Sequence, residues 1–379
     1  MDKFLINGPC KIKGNVSISG SKNASLPILA ATLLFDKPVV IKNLPRVRDI
    51  NTMLNLLKSL GSKIILSRDQ KIAKIINKKN MKTFASYSLV KTMRGSILVL
   101  GPLISKYHKS KISLPGGCLI GARPVNYHLT ALKKLGMKYE LKDGYILAKS
   151  KGKLSGTIIN FPKISVGATE NSIIAACLAK GKTVLKNCAI EPEIKDLTNF
   201  LNKAGAKIKW TGRVCKIMGV NSLNETEYSV MADRIEAGTF CVAATLAKGN
   251  LQINNLNPKI INTEIKLLKK VGAKIKTNEN KILIKGPEKI KSIKSIKTKE
   301  FPGIPTDLQA QLMVLMCKAD GKSSITESIF ENRFMHVAEL QRLGAKINIK
   351  NNTATIEGNR KFIGAELMSS DLRASVALV

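Results

Sequence analysis

A short phrase, a hydrophobic residue followed by Gly-X-Lys, recurs five times along the chain at nearly constant spacing. Its glycines are 75, 69, 67 and 72 residues apart. Each copy follows an amphipathic helical pattern and precedes a strand-like run, as expected of a glycine that ends a helix. The copies are Leu60-Gly61-Ser62-Lys63, Leu135-Gly136-Met137-Lys138, Ala204-Gly205-Ala206-Lys207, Val271-Gly272-Ala273-Lys274 and Leu343-Gly344-Ala345-Lys346. This periodicity predicts a series of α/β units of about 70 residues.

The helices that end at these glycines are predicted over residues 51–60, 126–135, 194–204, 263–271 and 335–343. Alanine-rich apolar helices alternate with them and begin near Asn23, Arg94, Thr169, Ile235, Asp307 and Leu372. Segments 24–34, 173–179 and 240–247 are apolar on nearly every face, which predicts full burial. Strands are predicted after these three at 38–42, 182–186 and 250–254. We therefore expect an α/β fold with helices inside and strands outside, the reverse of most α/β folds.

The sixth apolar helix begins at Asp371, and the sequence ends at Val379. We therefore expect a truncated sixth unit that lacks its second helix and most of its strands. Such a unit would leave apolar surface and a sheet edge of its neighbours exposed.

The net charge of +37 first suggests a nucleic acid or a membrane surface as the partner. Lysine, however, is spread through a chain that is also rich in isoleucine and asparagine, and aromatic residues make up only 4%, so no stacking platform for single strands is evident. The sequence contains no uninterrupted apolar run of about 18 residues. We expect a soluble, cytoplasmic protein that binds small anionic substrates and neither nucleic acid nor membrane.

The seven cysteines and three histidines form no recognisable metal or disulfide pattern. No C-x-x-C pair is present, so neither a disulfide framework nor a zinc site is expected, and no cofactor is implied. Most of the cysteines are predicted to be small buried apolar residues.

Cys118 is the exception, because it lies in the glycine-rich segment Leu114–Val125, five residues before Arg123. Glycines allow a ligand to approach the backbone closely, and a nearby cation lowers the pKa of a thiol and makes it reactive. This pattern predicts an active-site loop. A surface turn that contains a small residue is the alternative. His128 follows the loop and either helps to position it or lies on a helix surface.

Several further segments, in the same order along the chain, resemble those of one enzyme family. They are Ser19–Ala24, Lys91–Arg94, Pro115–Val125, Lys163–Thr169, Asp233–Glu236, Pro305–Gln311, Glu331–His336 and Asp371–Arg373. The whole chain resembles the UDP-N-acetylglucosamine enolpyruvyl (1-carboxyvinyl) transferases, which are EPSP synthase-like enzymes. The resemblance implies two inside-out α/β barrel domains built from six repeats. Residues 22–231 would form the domain with the Cys118 loop and three repeats. Residues 1–21 and 232–379 would form the other, with two full repeats and the start of a third.

The resemblance also implies an activity. The family transfers the enolpyruvyl group of phosphoenolpyruvate to the 3-hydroxyl of UDP-N-acetylglucosamine by addition and elimination and releases phosphate. This is the first committed step of peptidoglycan precursor synthesis, on which cell-wall biogenesis, cell shape and cell division depend. Fosfomycin alkylates the family's active-site cysteine. A cytoplasmic monomer is expected, with these two small molecules as its partners.

Site residues are carried over by matching positions. The catalytic set is Cys118 as general acid, Asp307 as the base for the sugar hydroxyl, and Lys22. Phosphoenolpyruvate would be bound by Lys22, Asn23, Arg123 and Arg373. UDP-N-acetylglucosamine would be bound by Arg94, Arg123, Pro124, Val125, Asn126, Tyr127, Lys163, Ile164, Ser165, Val166, Asp307 and Ile329.

Each assignment has a simpler alternative. Lys22 and Asn23 could merely cap a buried helix, Asp307 could be a carboxylate favoured by a helix dipole, and Ser165 could begin a helix that binds nothing. The chain also departs from the family pattern. Asn126 stands where the family usually has aspartate. One acidic contact near the sugar site would therefore become neutral, and we expect a modest effect. No residue matches a further C-terminal arginine that contacts phosphoenolpyruvate in the family.

Three other functions remain open from the sequence. A shikimate-pathway enolpyruvyl transferase would share the fold and the chemistry but lacks the Pro-Gly-Gly-Cys loop. An inactive, truncated remnant of the enzyme would bind the UDP-sugar without releasing phosphate. A basic RNA-binding protein would show a steep dependence of its affinity on salt.

Overall fold

The computed structural model describes residues 3–114, 125–369 and 373–379. These residues form two compact units. Unit A comprises residues 19–114 and 125–231, and unit B comprises residues 3–18, 232–369 and 373–379. The chain therefore passes from unit B into unit A after Ile18 and returns to unit B after Met231.

Helices and strands alternate along both units. The α-helices are α1 (Lys22–Ala31), α2 (Arg48–Leu60), α3 (Tyr87–Val90), α4 (Leu100–Tyr107), α5 (Asn126–Lys134), α6 (Val166–Ala176), α7 (Pro192–Lys203), α8 (Arg234–Leu246), α9 (Asn262–Lys270), α10 (Gln309–Cys317) and α11 (Val337–Arg342). Short 3₁₀ helices cover Thr32–Leu34, Arg94–Val99, Pro258–Ile261, Thr306–Leu308 and Ser375–Ala377.

The strands of unit A and the first strand of the chain are short. They are β1 (Lys13–Ser17), β2 (Val39–Lys42), β3 (Lys63–Leu66), β4 (Ala73–Ile76), β5 (Phe84–Ala85), β6 (Lys109–Ser113), β7 (Lys138–Lys142), β8 (Tyr145–Lys149), β9 (Ile158–Asn160), β10 (Lys182–Lys186), β11 (Lys207–Thr211), β12 (Val214–Met218) and β13 (Thr226–Ser229). Unit B continues with β14 (Asn250–Asn254), β15 (Lys274–Asn278), β16 (Lys281–Lys285), β17 (Ile296–Lys297), β18 (Lys322–Thr326), β19 (Lys346–Lys350) and β20 (Thr353–Glu357).

Within the described residues these strands form five mixed sheets of the same design. The orders are β13-β2-β4-β3, β5-β6-β8-β7 and β9-β10-β12-β11 in unit A, and β1-β14-β16-β15 and β17-β18-β20-β19 in unit B. In each sheet the first pair is parallel and the other two pairs are antiparallel. The protein is thus an α/β protein with mixed sheets, and a strand distant in sequence completes the sheets that contain β2 and β14.

The predicted burial of the apolar helices is confirmed for two of the three. Residues Ala24–Ala31 of α1 and Ala168–Ala176 of α6 are all buried. The prediction is wrong for α8, where Phe240, Ala243 and Leu246 remain partly exposed. Helix α8 packs against α9, α10, β14, β16 and the 3₁₀ turns Pro258–Ile261 and Thr306–Leu308, and these elements leave Phe240, Ala243 and Leu246 partly exposed. Local hydrophobicity therefore overestimated its burial.

The glycines of the repeated phrase adopt the conformation that the sequence predicted. Gly61, Gly136, Gly205, Gly272 and Gly344 all have positive φ, between 95° and 113°. Each lies one or two positions after the last residue of α2, α5, α7, α9 or α11, and the strands β10 and β14 span the predicted residues 182–186 and 250–254. A left-handed residue costs glycine no steric strain, which explains why this signal is readable from the sequence.

Candidate active site

Asp307 and Arg373, two predicted site residues, meet Arg333 of the matching segment Glu331–His336 in unit B. Oδ1 of Asp307 lies 2.9 Å from Nη2 of Arg333, and Oδ2 lies 3.4 Å from Nε of Arg373. Arg333 is the most buried of the three, since 7% of its side chain is exposed. Two guanidinium groups therefore share one carboxylate.

Asp307 lies in the 3₁₀ turn Thr306–Leu308 that leads into α10. The helix-dipole alternative accounts for its position but not for its contacts, because two arginines that are distant in sequence converge on it. Arg333 also donates from Nη1 to Oγ1 of Thr306 at 3.2 Å. The guanidinium therefore binds two consecutive residues of the turn and fixes its orientation.

Arg234, in the matching segment Asp233–Glu236, lies in unit B with its guanidinium 5.8 Å from the ring centroid of Phe301. Arg94 belongs to unit A. Arg123 lies outside the described residues, as do Cys118 and Pro124 of the predicted catalytic loop and Asp371 of the last matching segment.

In unit A, Lys22 and Asn23 begin helix α1. The helix is capped by Ser21, whose Oγ accepts a hydrogen bond from the backbone N–H of Ala24 at 3.3 Å. Since Ser21 supplies the cap, the capping role considered for Lys22 and Asn23 does not apply to the Lys22 side chain. Instead, Nζ of Lys22 lies 3.0 Å from Oδ2 of Asp49 at the start of α2. Lys22 is thus a partly buried cation held by a carboxylate.

Arg94 begins the 3₁₀ helix Arg94–Val99, which packs against α1. Arg94 and Asn23 are both partly exposed. The fold therefore brings these two predicted binding residues onto neighbouring elements of unit A, together with Lys22.

The two predicted nucleotide-binding segments of unit A lie at the N-termini of packed helices. Val125, Asn126 and Tyr127 begin α5, and Lys163 to Val166 lead into α6. Ser165 caps α6 through its Oγ, which accepts from the backbone N–H of Ala168 at 3.4 Å. Lys163 and Val166 are exposed, and Ile164 and Ser165 are partly exposed. Exposed backbone N–H groups at a helix N-terminus bind phosphate readily.

His128 connects these two helices and is buried, so it does not lie on a helix surface. Its Nδ1 is 3.1 Å from Nδ2 of Asn171 in α6. The amide of Asn171 is oriented by the backbone, because Oδ1 accepts from Gly101 N–H at 2.8 Å and Nδ2 donates to the carbonyl of Ile97 at 3.0 Å. Nδ2 is therefore a donor, and Nδ1 of His128 must accept. The contact requires this imidazole nitrogen to be unprotonated.

Gly167 allows α6 to approach His128 closely. A Cβ atom at this position would lie 3.0 Å from Cε1 and 3.2 Å from Nε2 of His128. The close approach requires glycine, because a Cβ would force the ring or the helix to move.

The sequence profile of the family described as EPSP synthase (3-phosphoshikimate 1-carboxyvinyltransferase) matches residues 6–379. The chain belongs to the EPSP synthase family. Its relatives in this family include the UDP-N-acetylglucosamine 1-carboxyvinyltransferase of Pelagibacter ubique (strain HTCC1062). That protein is 63% identical over 380 aligned positions, which cover 100% of this chain and 90% of the relative. The protein of the same name from Geobacter metallireducens (strain ATCC 53774 / DSM 7210 / GS-15) is 48% identical with the same coverage.

Solved structures of EPSP synthase-like proteins share the fold at much lower sequence identity. The enolpyruvyl transferase NikO from Streptomyces tendae superposes with a TM-score of 0.88 at 21% identity, over 98% of this chain and 88% of the other. EPSP synthase from Acinetobacter baumannii superposes with a TM-score of 0.75 at 19% identity, over 98% and 89% of the two chains. These similarities establish the EPSP synthase fold for this chain.

Sequence reasoning missed two carboxylates that contact predicted site residues or their neighbours. Asp49 binds Lys22, and Glu327 contacts the Thr306 and Ile329 positions. Glu327 lies four residues before the matching segment Glu331–His336, whereas Asp49 lies outside all of the matching segments. A contact between residues more than 20 positions apart has no periodic signature. Only the close spacing of Glu327 and Ile329 could have drawn attention to the second one.

Two further findings concern the cysteines and the hydrophobicity of the helices. Cys177, Cys188, Cys215, Cys241 and Cys317 are buried, which confirms that most cysteines are small core residues, and Cys10 is exposed. No helix in residues 3–114, 125–369 and 373–379 is long and apolar enough to cross a membrane.

Proposed function

We propose that this protein transfers the enolpyruvyl group of phosphoenolpyruvate to the 3-hydroxyl of UDP-N-acetylglucosamine and releases phosphate. The observation that carries the proposal is the 63% identity over the entire chain to a protein named UDP-N-acetylglucosamine 1-carboxyvinyltransferase. The structures named EPSP synthase share 19% identity with this chain, which favours the UDP-sugar over a shikimate as the acceptor. The reaction would supply peptidoglycan precursor synthesis in the cytoplasm, and the protein would act as a monomer.

The proposed architecture is two inside-out α/β barrels built from six repeats. The support is the common strand order of the five described sheets and the burial of α1, α6 and α10. Residues 22–231 would form one barrel, and residues 1–21 with 232–379 would form the other. The segment from Asp371 would begin the sixth repeat.

Phosphoenolpyruvate requires cations for its phosphate and carboxylate groups. Lys22, Arg123 and Arg373 would supply them, with Asn23 as a neutral hydrogen-bonding partner. Lys22 and Arg373 are partly buried, with 16% and 20% of their side chains exposed. Partial burial strengthens the attraction of a charge for an anionic ligand and still leaves it accessible.

The nucleotide would be bound at the N-termini of α5 and α6. Val125, Asn126, Tyr127 and the segment 163–166 begin these helices, and a helix N-terminus favours the binding of phosphate. Arg94, Arg123, Pro124, Asp307 and Ile329 complete the proposed set.

The chemistry proceeds by addition and then elimination. The 3-hydroxyl oxygen of the sugar attacks C2 of phosphoenolpyruvate, Asp307 accepts the hydroxyl proton, and the Cys118 thiol donates a proton to C3. Loss of a proton from C3 of the resulting tetrahedral intermediate then expels phosphate and restores the vinyl group. The Cys118 thiolate could also form a covalent phospholactoyl adduct.

The test is release of phosphate from phosphoenolpyruvate by the purified protein, with UDP-N-acetylglucosamine, with shikimate 3-phosphate, or with neither. Release that depends on the UDP-sugar and is greatly weakened in Cys118→Ala supports the proposal. Release only with shikimate 3-phosphate would overturn it in favour of the other acceptor. Binding of the UDP-sugar without any phosphate release would indicate an inactive UDP-sugar-binding protein.

A further inference from the structure

Glu327 is a buried carboxylate directly after strand β18 in unit B, and 2% of the residue is exposed. Its Oε1 accepts hydrogen bonds from Oγ1 of Thr298 at 2.9 Å, from Ile329 N–H at 2.8 Å and from Phe330 N–H at 3.2 Å. Its Oε2 accepts from Oγ1 of Thr306 at 2.8 Å. Both oxygens of this carboxylate are therefore engaged, Oε1 by three donors and Oε2 by one.

These contacts connect Glu327 to Arg333 by two routes, one through Thr306 and one through Phe330. Thr306 directly precedes Asp307 and accepts a hydrogen bond from Nη1 of Arg333. The guanidinium of Arg333 lies 5.2 Å from the ring centroid of Phe330 and binds Asp307 through Nη2. Glu327, Thr306, Arg333 and Phe330 therefore form a closed ring of contacts, to which Asp307 is joined through Arg333 and through its chain link to Thr306.

We propose that Glu327 is a positioning residue for the transferase reaction, an inference that rests on the proposed function. It holds the backbone of Ile329 where the nucleotide would bind. Through Thr306 and Arg333 it orients Asp307 toward the sugar hydroxyl. Glu327 is buried behind these residues, so it acts through them and not on the substrates.

The directions of these hydrogen bonds require a carboxylate at position 327, because an amide cannot accept all of them. The Thr306 hydroxyl accepts from Arg333 and donates to Oε2 of Glu327. If glutamine placed its amide NH₂ group at the Oε2 position, two donors would face this hydroxyl and its own proton would lose its acceptor. If the amide were reversed, its NH₂ group would face the N–H groups of Ile329 and Phe330. Neither orientation preserves all four contacts.

Two threonines connect Glu327 to different parts of the proposed site, and their roles can be separated by mutation. Thr306 connects Glu327 to Asp307 and Arg333. Thr298 connects Glu327 to the Ile329 turn, because its Oγ1 donates to Glu327 and accepts from Ser328 N–H at 2.9 Å. Valine removes the hydroxyl of either threonine with little change of shape, whereas serine retains it.

The experiment measures kcat, normalised to the concentration of active sites, and the KM for UDP-N-acetylglucosamine. The variants are Glu327→Gln, Thr306→Val, Thr306→Ser, Thr298→Val and Thr298→Ser. We expect kcat/KM of Glu327→Gln to fall about 10- to 100-fold, since displacement of a site group by about 1 Å has effects of this size. Thr306→Val should mainly lower kcat, and Thr298→Val should mainly raise the KM for the UDP-sugar. Thr306→Ser and Thr298→Ser should recover most of the loss.

If Glu327 had a purely structural role, Glu327→Gln would lower the thermal stability and the fraction of active protein. It would leave KM, and kcat normalised to active sites, unchanged. That result for Glu327→Gln would overturn the inference while the proposed function stands. Equal effects of the valine and serine variants would overturn it as well, since the hydroxyls would then carry no positioning role. If the unaltered protein released no phosphate with the UDP-sugar, the proposed function would fail first and this inference with it.

Discussion

Lys22 and Asp49, at the starts of α1 and α2, form an ion pair in which Nζ lies 3.0 Å from Oδ2. Both side chains are mostly buried, with 16% and 26% exposed. The pair is therefore less screened than a surface salt bridge and holds the lysine that is proposed to bind phosphoenolpyruvate.

Asp49→Asn should remove this charge interaction and leave the shape nearly unchanged. Because the pair is still partly exposed, we expect the free energy of unfolding to fall by only about 1 kcal/mol. The KM for phosphoenolpyruvate should change more than the KM for the UDP-sugar. Glu227→Gln is the matched control, because its partner Lys42 is 41% exposed and the pair should contribute little. Urea unfolding and steady-state kinetics measure both quantities, and equal destabilisation by the two variants would contradict the prediction.

Asp307→Asn should reduce turnover about 10²- to 10⁴-fold, the usual effect of losing a general base.

Arg333→Lys should also have a lower turnover. Arg333 contacts Thr306 and Asp307 through two nitrogens of its guanidinium, and lysine has only one. Phosphate release gives the rate, and a melting curve serves as the folding control. A fully active Asp307→Asn protein would exclude Asp307 as the base.

Gly167→Ala should raise the KM for UDP-N-acetylglucosamine several-fold. The new Cβ would lie 3.0 Å from Cε1 of His128 and would push apart the two helices whose N-termini are proposed to bind the nucleotide. Gly364→Ala is the control, since no atom lies within 4 Å of a Cβ at that position and its φ is not positive. An unchanged KM in Gly167→Ala would show that the helix spacing does not matter for this substrate.

Thiol labelling of the native protein should be confined to Cys118 and Cys10. Burial raises the pKa of the Cys177, Cys188, Cys241 and Cys317 thiols to about 12, so little nucleophilic thiolate is present at neutral pH. Burial also raises the pKa of Cys215. Fosfomycin, analysed by peptide mass spectrometry, should add mass at Cys118. Modification of a buried cysteine before Cys118 would contradict the proposed site.

Asp196 predicts a pH dependence of stability in unit A. Burial raises the pKa of this carboxyl to about 6, although it accepts hydrogen bonds from the Tyr228 hydroxyl at 2.6 Å and from Met231 N–H at 3.1 Å. Because the pKa in the folded state is above that in the unfolded state, folding favours the protonated form. The stabilisation of the folded state by the raised pKa of Asp196 is fully present below about pH 4. It is lost as the pH rises through about 6.

The stability of the unaltered protein relative to Asp196→Asn should therefore fall by roughly 2 to 3 kcal/mol between pH 4 and pH 7, at about 1.4 kcal/mol per unit of pKa. Urea unfolding of both proteins across this range measures the difference. A difference that does not vary with pH, or that grows as the pH rises, would show that the pKa of Asp196 is not raised in the folded state.

Local features of the fold were predictable because they depend on a few neighbouring residues. The glycine after each amphipathic helix has positive φ, and strands β10 and β14 span the predicted residues. The degree of burial of α8 was not predictable in the same way. It depends on which elements pack against the helix, and some of these, such as β16 and α10, are distant in the sequence.

The sequence by itself determined the repeated helix-turn-strand units, the buried character of α1 and α6, and the family, because these follow from residue order and local sterics. Tertiary structure alone decided the contacts of the site, such as Lys22 with Asp49 and Arg333 with Asp307. It also decided that β13 completes the sheet that contains β2, with Thr226 paired with Val39. Charged groups and strand edges accept many partners, and only packing of the whole chain selects which of them come within a few ångströms of one another.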